Sequence, residues 1–150
     1  MKPLTNWKIE RMLSQHCILF RGVFSCDNIE NSLKESKQFS IICNLSKSNE
    51  IGSHFITVLK YENTLLYVDP LGYPCKNSDI LSFLNSQSCE LMYSQTRLQD
   101  KESVLCGYFC MLFCIDFEKS YTHRMFHSEP NLLKNDNLVL KYLSRIFEKE

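Results

Sequence analysis

Four side chains with complementary chemistry occur along the chain in the order His54, Asp69, Gln99 and Cys106. A thiol acts as a nucleophile when an imidazole removes its proton, and a carboxylate can hold that imidazole in the required tautomer and orientation. A side-chain amide can donate a hydrogen bond to the charge that develops on an attacked carbonyl oxygen. The four residues therefore predict covalent catalysis by a thiol, provided that the fold brings them together.

A predicted β-hairpin relates the imidazole to the carboxylate. If Glu62 and Asn63 form its turn, Asp69 lies opposite Ile56, and His54 lies two residues further along on the same face. Diagonal neighbours of this kind are ~7–8 Å apart at the backbone, which lets the two side chains meet. A four-residue loop preserves this relation, whereas a three-residue loop puts the two groups on opposite faces. In the alternative interpretation, His54 caps a strand end and Asp69 starts a turn.

Cys106 lies near the start of a strongly apolar helix predicted over residues 104–117. Ser103 is expected to cap this helix. The positive end of the helix dipole favours the thiolate form of a cysteine placed there, and a neighbouring His54 favours it further. A glycine in the first turn costs ~0.5–1 kcal/mol relative to alanine. Gly107 therefore indicates that a substrate backbone or the base needs the space.

Gln99 precedes the predicted nucleophile by seven residues in a polar loop. We expect its amide to form an oxyanion hole together with the backbone N–H of Cys106. As an isolated glutamine it would be assigned to the solvent-exposed surface.

The rest of the chain is predicted to form an α+β framework around these groups, because helices and strands interleave without a regular βαβ rhythm. Helical spacing predicts a first helix over residues 6–17, with Trp7, Met12 and Leu13 as core contacts, and an amphipathic closing helix over residues 132–147. The other predicted elements are a strand or turn over 18–24, a polar helix over 29–38, strands over 39–45, 54–61, 65–69 and 90–94, and a short helix over 80–84.

Size and composition predict a single soluble domain over residues 1–150. The 17 basic and 17 acidic residues cancel, so net charge does not favour a polyanionic partner such as DNA. The longest apolar stretch is far shorter than the ~20 residues that a membrane span needs. No cofactor is required by the sequence, and a monomer is expected.

The eight cysteines allow three interpretations. Because no signal peptide is visible and several cysteines lie in apolar runs, we expect a reducing, intracellular setting with mostly structural thiols. Cys106, Cys110 and Cys114 could form a stripe of core packing at helical spacing. A metal site could use Cys106 with Cys110, or His123 with His127, but the sequence contains no CxxC pair, which structural zinc sites favour.

Taken together, the chain resembles the adenain-type cysteine proteases, which are the maturation proteases of adenoviruses, and the related enzymes of adenovirus-like elements such as Polintons. The resemblance covers most of the chain and is strongest from Gly52 to Phe113. It implies a central mixed β-sheet flanked by helices, with the nucleophile at the N-terminus of a buried helix. The matching segments are Gly52-x-His54-aromatic, Asp69-Pro70-Leu71-Gly72, Gln99 and Cys106-Gly107-x-Phe109-Cys110, with weaker matches at Phe20-x-Gly22-x-Phe24 and His127-Ser128-Glu129-Pro130-Asn131.

The resemblance also implies substrates, partners and location. Capsid and core precursor proteins would be cleaved after glycine, in the host nucleus or the virion. Adenovirus enzymes are stimulated by DNA and by a viral peptide joined through a disulfide, and Cys89 lies one residue out of register from the peptide-binding cysteine.

Two alternatives stay open within this resemblance. Adenovirus enzymes usually have Trp after the base and Glu as the orienting acid, where this chain has Phe55 and Asp69. Asp is common in the wider clan, which favours as an alternative a Ulp-like protease that removes ubiquitin-like proteins. The other alternative is a catalytically inactive interaction module of the same fold.

Overall fold

The computed structural model describes residues 4–49, 54–119 and 124–147. In these ranges a five-stranded sheet has the order β1-β2-β3-β4-β5. The outer pairs, β1 with β2 and β4 with β5, are parallel, while β2–β3 and β3–β4 are antiparallel. The predicted α+β class with a mixed central sheet is therefore confirmed. The strands are β1 (Phe20–Ser25), β2 (Gln38–Asn44), β3 (Phe55–Tyr61), β4 (Thr64–Val68) and β5 (Glu90–Tyr93).

Helices cover both faces of the sheet. Two apolar clusters form the core, one between the sheet and α1, α3 and α4, the other between the opposite face and α2. The hydroxyl of Thr57 in β3 donates to the carbonyl of Cys110, which ties α3 to the middle of the sheet. The helices are α1 (Asn6–Ser14), α2 (Ser78–Ser86), α3 (Cys106–Lys119) and α4 (Asn135–Phe147), with 3-10 turns at Asn31–Glu35 and Leu132–Lys134.

The predicted hairpin register is confirmed. Tyr61 pairs with Thr64, and the ladder continues to the pair Thr57 and Val68. Glu62 adopts a φ of 53°, the left-handed conformation that a two-residue hairpin turn requires. His54 and Asp69 therefore lie just beyond the ends of two adjacent strands.

The prediction of a polar helix over residues 29–38 is wrong. The segment forms a single 3-10 turn, in which only Leu33 is buried, and β2 starts at Gln38. One buried side chain gives no continuous apolar face for a longer helix to pack.

The assignment of Trp7 to the core is also wrong. α1 buries Ile9 and Leu13 completely, whereas Trp7 is 65% exposed and stacks against Arg11 on the outer face of the same helix. The spacing of apolar residues alone did not show which face of this short helix is buried.

No helix within the described ranges is long and apolar enough to cross a bilayer.

Two substitutions on α1 separate its buried face from its outer face. We expect Leu13→Ala to lower the free energy of unfolding by about 2–5 kcal/mol, because it removes a fully buried side chain. Trp7→Ala removes only an exposed cation–π contact and should cost less than about 1 kcal/mol. Urea denaturation of both variants tests this, and equal losses would contradict the assignment of the two faces.

Candidate active site

The structure brings His54 and Asp69 into direct contact. The Nε2 atom of His54 lies 2.7 Å from the Oδ1 atom of Asp69. The His54 carbonyl accepts a hydrogen bond from the N–H of Leu45, at the end of β2, which holds the backbone at the imidazole in place. Gly52 and Ser53 of the same motif lie outside the described residues.

A tight turn orients the carboxylate after β4. The N–H of Gly72 donates to the carbonyl of Asp69, and the N–H of Leu71 donates to Asp69 Oδ1 at 2.8 Å. Gly72 has a φ of +80°, and a Cβ atom there would lie 3.2 Å from backbone atoms of Arg97. Glycine is therefore required at this position both for its conformation and for its close contact.

Cys106 is the first residue of α3 and has 8% of its surface exposed. The carbonyl of Leu105 accepts from the N–H groups of Tyr108 and Phe109 and so starts the helical hydrogen bonding. The first amides of a helix have no carbonyl partner within it, so the N–H of Cys106 belongs to this positive end. The thiol lies close enough to the imidazole of His54 to raise the pKa of that ring.

The charge on the imidazole is stabilised by both of its neighbours. Burial acts to lower the pKa of His54, but hydrogen bonds to Asp69 and to Cys106 outweigh it and raise that pKa from 6.5 to about 9. Because Nε2 faces Asp69, the other ring nitrogen, Nδ1, is the one left for the thiol. The arrangement therefore favours a charged imidazole beside the thiol.

Ser103 does not cap α3 as expected, because the helix starts at Cys106, two residues later than predicted. Leu105, not Ser103, occupies the position before the helix, and the Ser103 hydroxyl accepts instead from the N–H of Leu105. The same hydroxyl donates to Asp136 in α4. Ser103 thus holds the segment that leads into Cys106.

The space at Gly107 is occupied by the protein itself, contrary to the expectation of a substrate or the base. A Cβ atom there would lie 3.0 Å from Ile9 Cδ1 and 3.4 Å from side-chain atoms of Leu4 and Phe55. Glycine therefore lets α1 and β3 pack tightly against the first turn of α3.

Gln99 lies in the loop that precedes α3, and it is buried. Its backbone N–H donates to the carbonyl of Pro70, in the turn that carries Asp69, and its side-chain Nε2 donates to the carbonyl of Ser103 at 3.1 Å. The Oε1 atom has no hydrogen-bond partner among the described residues. The amide carries a second N–H that the bond to Ser103 does not use.

Sequence reasoning missed Asn135, which is fully buried at the start of α4. Its Nδ2 donates to the carbonyls of Leu98 and His127, and its Oδ1 accepts from the N–H of His127. A single amide therefore joins the loop of Gln99 to the segment before α4. A polar residue at the start of an amphipathic helix, after a 3-10 turn, was the available signal.

Cys89 is half-buried at the start of β5, near the hairpin turn. Its thiol contacts the carbonyls of Gln87 and Glu62. Glu62 and Asp69 lie at opposite ends of β4, roughly 20 Å apart at ~3.3 Å per residue. The structure thus separates Cys89 from His54 and Cys106.

The other six cysteines are buried, and none of the groups that shift their pKa values is an imidazole. Burial raises the pKa of Cys17 to about 12 and raises the pKa values of Cys43, Cys110 and Cys114 as well. All eight cysteines lie in the described ranges and none forms a disulfide. Seven of them therefore lack the imidazole contact that distinguishes Cys106.

In the part of the chain that the structure describes, no three His, Cys, Asp or Glu side chains converge as metal ligands. Cys110 is fully buried in the core, His127 is an exposed residue, and His123 lies outside the described residues.

No protein-family model matches the sequence, and no curated protein matches it. Among solved structures, the fold is similar to the crystal structure of the ASFV pS273R protease, with a TM-score of 0.56 and 14% identity over 93% of this chain and 65% of that one. It is also similar to the selenomethionine form of that protease, with a TM-score of 0.58 and 15% identity over 93% of this chain and 66% of that one. The chain spans slightly less than two thirds of the length of these proteases.

At this level of identity the likeness establishes the fold. It shows that the arrangement of strands and helices is shared with those proteases, and nothing finer than that arrangement.

An NMR titration of the His54 ring should have its midpoint near pH 9 rather than 6.5. Since the folded-state pKa is the higher one, the stability that protonated His54 contributes is complete below about pH 6.5 and is lost as the pH rises to about 9. Asp69→Asn removes the adjacent negative charge and should lower the midpoint. His54→Gln identifies the resonance, and an unchanged midpoint in Asp69→Asn would contradict this account of the shift.

Proposed function

We propose that the chain is a cysteine endopeptidase in which Cys106 is the nucleophile, His54 the general base and Asp69 the residue that orients the base. The observation that carries the proposal is the continuous contact from the Asp69 carboxylate through the His54 ring to a thiol at the N-terminus of α3. The similarity to proteases supports the same conclusion at the level of the fold.

The geometry suggests how the reaction proceeds. His54 Nδ1 takes the thiol proton, and the Cys106 sulfur attacks the carbonyl carbon of the scissile peptide. The imidazolium, stabilised by Asp69, then protonates the leaving amine as a thioester forms on Cys106. Water activated by His54 attacks the thioester and releases the acid product together with the free thiol.

Two donors are available for the oxyanion of the tetrahedral intermediate. One is the N–H of Cys106, at the positive end of α3. The other is the second side-chain N–H of Gln99, whose amide is held by its bond to Ser103. Such donors contribute most when they are fixed before the reaction, and the burial of Gln99 supplies that rigidity.

The resemblance extends the proposal to the substrates. They would be precursor proteins of a virus or virus-like element, cleaved after glycine, with the chain acting as a monomer in a reducing, intracellular location such as the host nucleus or the virion. The unpaired thiols of all eight cysteines are compatible with that setting. By resemblance, the activator would be a peptide joined at Cys89, or DNA.

A second candidate is a Ulp-like protease that releases ubiquitin-like proteins. An aspartate as the acid beside the imidazole, common in the wider clan, is the observation that favours it. Both candidates predict cleavage after glycine, and they differ in the size of the substrate recognised.

The first test is covalent labelling of the reduced protein with a peptide vinyl sulfone that ends in Gly-Gly, located by mass spectrometry. We expect a single adduct on Cys106, lost in Cys106→Ala and retained in Cys110→Ala and Cys89→Ser. A probe built on a whole ubiquitin-like protein that reacts much faster than the peptide would favour deconjugation. Dependence on added DNA would reveal an activator.

Absence of labelling, or equal labelling of Cys89 and Cys106, would contradict an assembled active site. It would favour the alternative of an inactive interaction module.

Gln99→Ala should lower kcat by about 10²–10³ with little change in KM, because an oxyanion donor acts mainly in the transition state. Gln95→Ala, with an exposed side chain in the same loop, is the matched control and should leave both constants unchanged. Thermal denaturation of Gln99→Ala checks that its fold is kept. A rise in KM at constant kcat would count against the oxyanion role.

A further inference from the structure

Arg97 uses every nitrogen of its guanidinium group beside the turn that carries Asp69. Its Nε donates to the carbonyl of Leu71 at 3.0 Å, and its Nη2 donates to the hydroxyl of Tyr73 at 2.6 Å. Its Nη1 donates to Glu129, in the segment before α4, at 3.1 Å. The planar group also lies over the Tyr73 ring, with Cζ 5.2 Å from the centroid. Such a fork fixes the groups around it more tightly than a lysine would.

The bond to Leu71 leads directly to the candidate active site. Leu71 accepts from Arg97 through its carbonyl and donates to Asp69 Oδ1 through its N–H. That carboxylate oxygen is the one that lies 2.7 Å from Nε2 of His54. Arg97 is therefore two hydrogen bonds away from the carboxylate and three from the imidazole.

The backbone around Arg97 joins the same turn to the loop of Gln99. The carbonyl of Pro70 accepts from the N–H groups of both Leu98 and Gln99, and Gly72 packs against the backbone of Arg97. The orienting acid and the candidate oxyanion donor thus belong to one hydrogen-bonded unit. The bonds to Pro70 do not involve the Arg97 side chain, so a change of that side chain alone leaves the unit connected.

We propose that Arg97 is a positioning residue, which holds the Leu71 N–H on Asp69 and thereby fixes the contact between Asp69 and His54. Glu129 and Tyr73 orient the guanidinium for this task. The catalytic consequence rests on the proposed protease function, whereas the positioning of the imidazole is a property of the folded chain and is measured without substrate.

The test compares Arg97→Gln with Arg124→Gln. Arg124 also forms an ion pair with a carboxylate, that of Asp116, and its side chain is 20% exposed against 30% for Arg97. Asp116 lies in α3 and not in the Asp69 turn. In Arg97→Gln we expect the NMR midpoint of His54 to fall from about 9 toward 6.5. We expect kcat to fall roughly tenfold to a hundredfold at nearly constant KM, as for a misplaced catalytic group. Arg124→Gln should change neither value.

Arg97→Lys keeps the charge but not the fork, and it should show the same effects to a smaller extent. It also provides the measurement if Arg97→Gln does not fold. A folded Arg97 variant with the wild-type midpoint and wild-type kcat would overturn the positioning role and leave the protease proposal intact. A lowered midpoint in a chain whose wild type has no turnover would instead overturn the protease proposal and support the positioning role.

Discussion

The bond between His54 and Asp69 is the constraint on which the rest of the site depends. It joins two residues that lie just beyond the ends of adjacent strands, so it exists only in one register of the β3–β4 hairpin. A shift of the pairing by one residue would move one of the two side chains to the opposite face. The turn at Glu62, the buried faces of both strands and the packing of α3 all enforce that register.

The same bond distinguishes one cysteine from seven others. Burial keeps the thiols of Cys17, Cys43, Cys110 and Cys114 protonated. Cys106 is nearly as buried, but it starts a helix and lies beside an imidazole whose positive charge Asp69 stabilises. In the proposed mechanism, the reactivity of Cys106 follows from the electrostatic surroundings of its thiol rather than from its exposed fraction.

Three connecting segments hold Asp69, Gln99 and Cys106 in relation to one another. The turn after Asp69 bonds to the loop of Gln99 through Pro70, and α4 bonds to that loop through Asn135. Ser103 links the entry of α3 to Asp136 of α4. Much of this framework uses backbone carbonyl and N–H groups, which any sequence supplies. A fold that depends on such bonds can be shared at 14% sequence identity.

The local sequence was sufficient for the hairpin register, the apolar helix that begins at Cys106 and the amphipathic closing helix, because each depends on the period of apolar residues or on a two-residue turn. It was insufficient for the outer position of Trp7, the single 3-10 turn around Leu33 and the tight packing at Gly107. The local sequence also did not predict the contact of Arg97 with Leu71 or that of Asn135 with Leu98. These features depend on segments far apart in the chain, and only tertiary packing decides which of them meet.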